Sequence, residues 1–243
     1  MSENLAIVAA LEREIRPLVR GWRTCVREHA GGTFRFYESN HSVLLCGGIG
    51  AEPARRAAEA IIALYQPALI ISAGFAGALD SRLKIGDVIV PRRVIYAGDG
   101  SSVDTGQGEG VLLTFSSVAS AEQKRKLAES YGADAVDMEA AAVARAAAAR
   151  GVQFAAVKAI SDETNFAMPA IDRFINAKGE FSAGRFALFA AFRPRMWGTL
   201  LRLASNSNRA SQALCNWIEQ MDMNHVGTDQ LSVPQSLRSS NQR

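Results

Sequence analysis

Cysteine is scarce in this chain. Cys25, Cys46 and Cys215 are its only three, set too far apart for a CxxC pair or a zinc-ligand pattern. An odd number of widely spaced thiols points to a reducing compartment, so a cytoplasmic location is expected. Histidine is equally sparse: His29, His41 and His225 are scattered, and no HExxH motif occurs. Metal catalysis is therefore not expected, and no cofactor is implied. The chain lacks any apolar run of about 18 residues, which excludes an evident membrane-spanning helix. Met1–Asn4 brings no basic segment before the short apolar run Leu5–Leu11, so a secretory signal is not expected either. There is little charge of one sign in excess, with 27 Lys and Arg against 24 Asp and Glu, a net of +3. A nucleic-acid binder needs a denser basic face, so nucleic acid is not an expected partner. Twenty Gly and 7 Pro in 243 residues are too few for a collagen-like or low-complexity chain.

What is present is a globular composition, 48% hydrophobic and 21% charged. At roughly 150 residues per domain, this length suits one large domain. It is placed at 1–224, followed by a polar, serine-rich tail at 225–243 expected to be disordered. Short apolar runs at Leu5–Ala10, Ser42–Cys46, Ala68–Ala73, Asp87–Val90, Gly110–Phe115 and Val152–Ile160 are continuous rather than alternating. That pattern suits strands buried on both faces. Helical patterns lie between them at Leu11–Trp22, Pro53–Gln66, Ala121–Tyr131 and Met138–Arg150. Pro17 limits the first to a turn or two near Arg16. Pro53 suits a first helical turn, Ser120 an N-cap and Gly151 a helix stop. The alternation predicts an α/β fold with a mixed, largely parallel sheet flanked by helices. Asp99–Gly110 reads as a polar surface loop. Further helical pieces are expected near Pro169–Ile175, Ser182–Phe192 and Asn206–Glu219.

Ligands in open α/β sheets bind beyond the carboxyl ends of the strands. Two such ends here run into glycine, Gly47-Gly48-Ile49-Gly50 and Gly74-Phe75-Ala76-Gly77, which either turn the chain tightly or let backbone N–H groups approach an anion or a sugar hydroxyl. Neither is a P-loop or a dinucleotide fingerprint. Acids stand at three other places: Glu14 after the first strand, Asp137 and Glu139 at the head of the alanine-rich helix, and Asp162 after the last strand. Each has an ordinary explanation as a surface charge, a helix cap or an Asx turn. Their coincidence at strand ends makes them candidates for one site.

These residues resemble the purine nucleoside phosphorylase and uridine phosphorylase superfamily, most closely its 5′-methylthioadenosine/S-adenosylhomocysteine nucleosidase branch. The resemblance runs in order through Ala9-Ala10-Leu11-Glu12-Arg13-Glu14-Ile15, Gly48-Ile49-Gly50, Ile71–Leu79 with Leu83–Val90, Val136–Ala140 and Ala159–Asp162. It implies a three-layer nucleoside-phosphorylase-like fold and cleavage of the N-glycosidic bond of a 5′-modified purine nucleoside. By the same resemblance, Glu14 prepares the attacking water and Asp162 protonates the base. Gly48, Phe75, Val118, Met138 and Glu139 bind substrate, with Glu139 on the ribose hydroxyls. Phe75 and Val118 depart from the pattern, standing where a small hydroxyl residue and an aromatic are usual. The compact middle and Arg185–Leu214 are more similar to the hopanoid-biosynthesis-associated phosphorylases, which act on an adenosine carrying a large 5′ lipid.

Three alternatives follow from this reading: hydrolysis, phosphorolysis with phosphate as partner, or a nucleoside-binding domain without turnover. Glu14 on the nucleophile side would repel phosphate, whereas Arg13, Arg55 and Arg56 would attract it. A homodimer is expected from the resemblance and from the low aromatic content. The stretch Arg185–Leu203, with Trp, Phe and Leu beside four arginines, either packs on the protein or meets a membrane surface.

Overall fold

The computed structural model describes residues 5–166, 172–176, 179–182, 184–186, 189, 193 and 197–225. The expected tail, and parts of the stretches 169–175, 182–192 and 185–203, lie outside these residues. The chain opens with β1 (Leu5–Ala9), helix α1 (Glu12–Ile15), the hairpin β2 (Arg23–His29) and β3 (Gly32–Glu38), and β4 (Ser42–Cys46). Helix α2 (Ala51–Tyr65) leads to β5 (Leu69–Ala78), β6 (Val88–Ile89), β7 (Arg93–Tyr96), β8 (Ser102–Asp104) and β9 (Val111–Thr114). Then come α3 (Ala121–Tyr131), β10 (Ala135–Asp137), α4 (Ala140–Ala148), β11 (Gln153–Asp162), a 3-10 turn (Asp172–Phe174) and the long helix α5 (Trp197–His225).

The strands form one mixed sheet in the order β2-β3-β4-β1-β5-β10-β9-β7-β8, with β11 joining β5 and β6. β4, β1, β5 and β11 run parallel, as do β10, β9 and β7. Side chains alternate faces along a strand. Ala6 and Val8 therefore face α2 and α4, while Leu5, Ile7 and Ala9 face α1 and α5. Both faces are covered, which explains why the central strands read as unbroken apolar runs. The α2–α4 layer is lined by alanines, including Ala54, Ala57, Ala58, Ala140, Ala144 and Ala147, all buried. A third cluster, with Leu79, Ile95 and Leu113, packs under Leu127 and Tyr131 of α3.

Several boundaries differ from the sequence reading. Helix α1 starts at Glu12 and ends before Pro17, rather than starting near Arg16. Strand β5 does not stop at Ala73: Gly74–Gly77 are strand, paired throughout with β11, and not a turn. The Asp99–Gly110 loop contains β8, hydrogen-bonded to β7. Ala135–Asp137 is a strand, so α4 begins only at Ala140. The hairpin β2–β3 was missed because it is largely solvated and has no unbroken apolar run. The helix expected at Asn206–Glu219 is twice that length.

This topology makes the site. β11 fills one edge of β5 from Leu69 to Gly77. On the other edge, β1 pairs only as far as Ser72, and β10 takes over, antiparallel, at Gly77. Ala73–Ala76 therefore have no strand partner on that edge. The sheet opens there into a gap, bordered by the carboxyl ends of β1 and β10.

Candidate active site

Glu14 enters the gap from α1, just past the end of β1. It is buried, and the Leu11 amide donates to its Oε2 at 3.3 Å. Gly74 is what admits it: a Cβ there would stand 3.0 Å from Glu14 Oε2, at a backbone φ of +153°. Helix α5 fixes this turn from behind, because the Ser211 hydroxyl donates to the Glu14 carbonyl at 3.0 Å.

From the end of β10 come Asp137 and Glu139, which have different roles. Asp137 caps α4, accepting from the Ala140 amide at 2.8 Å, and its other oxygen accepts from the Thr114 hydroxyl at 2.6 Å. Glu139 occupies the N-cap position without capping the helix. Its carboxylate reaches instead to the glycine turn after β4, accepting from the Gly50 amide at 2.8 Å, and from the Met138 amide at 3.3 Å. Beside Gly50, the Gly48 amide donates to the Ala10 carbonyl, so this turn is stitched to the end of β1.

Lys158 binds the acids together. It projects from the middle of β11 and is fully buried. Its Nζ lies 2.9 Å from Asp137 Oδ2 and donates to the Ser72 hydroxyl at 3.1 Å. Burial works against its charge, but Asp137, Glu139 and Glu14 outweigh this and push its pKa up. Burial also pushes Glu14 up, against the opposing pull of Lys158. Glu139 is pushed up to about 7 by burial and by the Asp137 charge, with Lys158 opposing. Three carboxyls thus share one ammonium, and the surplus acid is relieved by holding a proton near neutral pH.

Asp162 stands further along β5, at the last residue of β11, rather than beyond the strand. A Cβ on Gly77 would lie 2.9 Å from its Oδ2, so a second glycine makes room for a second acid. Gly74 and Gly77 are three residues apart, roughly 10 Å along a strand. The Ser161 hydroxyl donates to Asp162 Oδ1 at 2.7 Å, and Lys124 of α3 forms a buried ion pair with Oδ2.

The remaining expected site residues are less committed. Met138 is half-buried beside Glu139, and Val118 is half-buried in the connection from β9 to α3. Phe75 packs against the cluster under α1 and α5. Lys158 and Lys124 were not among the candidates of the sequence reading, and Asp137 was given no role of its own there. A lone lysine inside the apolar run Phe154–Ile160 was the available signal for Lys158; Lys124, in a solvated helix among Arg125 and Lys126, gave none. Of the arginines set against Glu14 as phosphate attractors, Arg55 and Arg56 have other partners, while Arg13 still acts on Glu14 by its charge. Arg55 pairs with Glu52 and Glu59 on the surface, Arg56 approaches Gly32 of the hairpin, and Arg13 stacks on Phe181. Among the described residues, no cluster of His, Cys, Asp and Glu suited to a metal ion is found.

Fold and site together define an α/β protein with buried acids gathered beside a gap next to its central strand. The chain belongs to the phosphorylase superfamily, whose profile matches residues 4–119 and 109–187. It is 29% identical to a 5′-methylthioadenosine/S-adenosylhomocysteine nucleosidase of Listeria monocytogenes, over 74% of this chain and 95% of the relative. The same-named protein of Staphylococcus aureus is 26% identical, over 66% and 87%. Among solved structures, futalosine hydrolase of Helicobacter pylori superposes with a TM-score of 0.69 at 18% identity, covering 92% of this chain and 99% of that one. The H. pylori 5′-methylthioadenosine/S-adenosylhomocysteine nucleosidase, bound to butyl-thio-DADMe-Immucillin-A, gives 0.64 at 20% identity, covering 90% and 99%. These likenesses establish the three-layer fold.

Proposed function

We propose that this protein hydrolyses the N-glycosidic bond of a 5′-modified purine nucleoside, of the 5′-methylthioadenosine or S-adenosylhomocysteine kind, and releases the purine base. The observation that carries this reading is that two glycines of β5, Gly74 and Gly77, each make room for a buried acid. Acids with a tendency to take up a proton gather at Gly74, and an acid held beside an ammonium stands at Gly77. N-glycosidic cleavage needs both: a base to deprotonate water at the sugar and an acid to protonate the departing purine.

In this reading the ribose lies near Gly74, with Glu139 accepting from its hydroxyls and Met138 against its face. Glu14 takes a proton from water as the water oxygen attacks C1′. The C1′–N9 electron pair passes into the purine, which accepts a proton from Asp162 and leaves neutral. Lys158 and Asp137 keep Glu14 and Glu139 in place. The relatives' names support the substrate class.

Phosphorolysis, including that of a hopanoid-linked adenosine, is disfavoured by the charge of the gap. A phosphate needs cationic donors. The lysine at this end is already engaged by Asp137 and Ser72.

The test is base release from 5′-methylthioadenosine, S-adenosylhomocysteine and adenosine by the purified chain. Release from the 5′-thio substrates in preference to adenosine supports the assignment. Binding without release by folded protein would instead identify a nucleoside-binding domain.

A further inference from the structure

Helix α3 packs one side, with Leu127, Ala128 and Tyr131 half-buried, and the residue it buries fully is a lysine. Lys124 is 2% exposed, in a helix whose neighbouring charges, Glu122 and Lys126, pair with each other at the surface. Fully buried lysines are rare and occur with partners. The Lys124 ammonium has three acceptors for its three hydrogens: Asp162 Oδ2, the Glu163 carbonyl at 2.9 Å and the Asp162 carbonyl at 3.4 Å. The Ser120 capping box at the head of α3 fixes the turn from which it projects. A side chain so fully enclosed does not serve solubility.

We infer that Lys124 is a positioning residue that stores, through Asp162, the proton given to the departing base. This rests on the reading of Asp162 above and assigns the proton's source. A carboxylate has about four acceptor sites, so Asp162, bonded to Lys124 and Ser161, keeps about two, one of which can take up a proton and donate it to a purine nitrogen. As the C1′–N9 bond breaks, Lys124 Nζ gives a proton to Asp162 Oδ2, and the carboxyl so formed gives that proton to the purine. Lys124 is left as a neutral amine and is reprotonated from solvent. Atoms and charge balance: water contributes hydroxide to the sugar and a proton to Glu14, and the purine gains one proton. The other charged groups near the pair are few. Glu163 follows Asp162 at the end of β11, and its carboxylate leans toward Lys84 at 3.9 Å rather than toward Lys124. No further ion pair reaches Lys124 among the described residues.

The experiment measures kcat and KM against pH for wild type, Lys124→Met and Lys124→Arg, using 5′-methylthioadenosine, with melting curves for each protein. Met keeps the volume and removes the proton store. Its kcat is expected to fall about 100-fold at neutral pH, in the usual range for losing a general acid, with KM nearly unchanged. Activity should then recover as pH drops, because Asp162 must take its proton from solvent. Arg keeps the charge but does not release its proton in this range. It should stay slow at every pH, with KM near that of wild type.

Restoration of kcat by Arg would overturn the inference, since charge alone would then suffice. A Met variant slowed equally at all pH values would overturn it by showing structural damage, and an unslowed one would overturn it directly. If Met does not fold, the Arg variant decides alone. A wild-type protein that is folded and inactive would overturn the proposed function itself, and this inference with it.

Discussion

At Gly74 of β5 three carboxyls surround one ammonium, whereas at Gly77 one carboxyl faces one ammonium. Both groups are buried, and both use a glycine of β5 to let an acid approach the strand. They differ in charge balance. The Gly74 cluster has more acid than its lysine can neutralise, so burial raises Glu14 and Glu139, and the cluster accepts protons. At Gly77 each charge has its partner, Asp162 against Lys124. In the proposed reading, one architecture thus provides a base and an acid by changing the ratio of carboxyl to ammonium.

The largest expected effect comes from breaking the Gly77 end. Asp162→Asn should fold, bind substrate and lose about 10²–10⁴-fold in kcat, because an amide cannot relay the proton. Steady-state kinetics with a melting curve checks this, and near-normal base release from folded variant would remove Asp162 from the mechanism.

Breaking the Gly74 end should show first in stability. Lys158→Met leaves Asp137, Glu139 and Glu14 without their cation, and losing one partner of a buried pair costs about 3–5 kcal/mol. Chemical denaturation should show this loss at pH 8, diminishing as the pH is lowered and the acids protonate. A variant as stable as wild type at pH 8 would mean the lysine is not holding the cluster.

Glu139→Gln sharpens the comparison because its two effects have opposite signs. The folded carboxyl titrates near 7, above its ordinary 4.5, so the native state binds protons more tightly than the unfolded one. Stability from this group is complete below about 4.5 and is lost as pH rises toward 7. An uncharged amide avoids that loss. The variant should melt a few degrees higher than wild type at pH 7.5, with a flatter dependence between pH 5 and 7. It should also discriminate less against 2′-deoxy substrates. Unchanged discrimination would leave Glu139 a purely structural acid.

The smallest effect concerns the surface. Trp197 and Leu201, at the start of α5, are exposed. No helix among the described residues is long and apolar enough to cross a membrane. If the stretch 185–203 lies on a lipid surface, anionic vesicles should co-sediment a modest fraction of the protein, and Arg193→Glu with Arg195→Glu should abolish this. Equal binding by both would return the stretch to packing on the protein or on a second copy. Light scattering tests the expected homodimer.

The sequence made Glu14, Glu139 and Asp162 legible because each stands in a short motif beside an apolar strand. The central strands were legible because a sheet covered on both faces leaves no polar positions. Two things were hidden. The continuation of β5 through Gly74–Gly77 read as a turn, since glycine signals turns more often than it makes room for a neighbouring side chain. Lys124 was hidden because its partner lies 38 residues away on another element. Charge partners set by topology leave no periodic trace in the chain.

The most direct measurement is the fate of the sugar when the purified chain cleaves 5′-methylthioadenosine with and without phosphate. The account predicts adenine and free 5-methylthioribose, at a rate phosphate does not raise. A sugar 1-phosphate, formed only when phosphate is present, would contradict it.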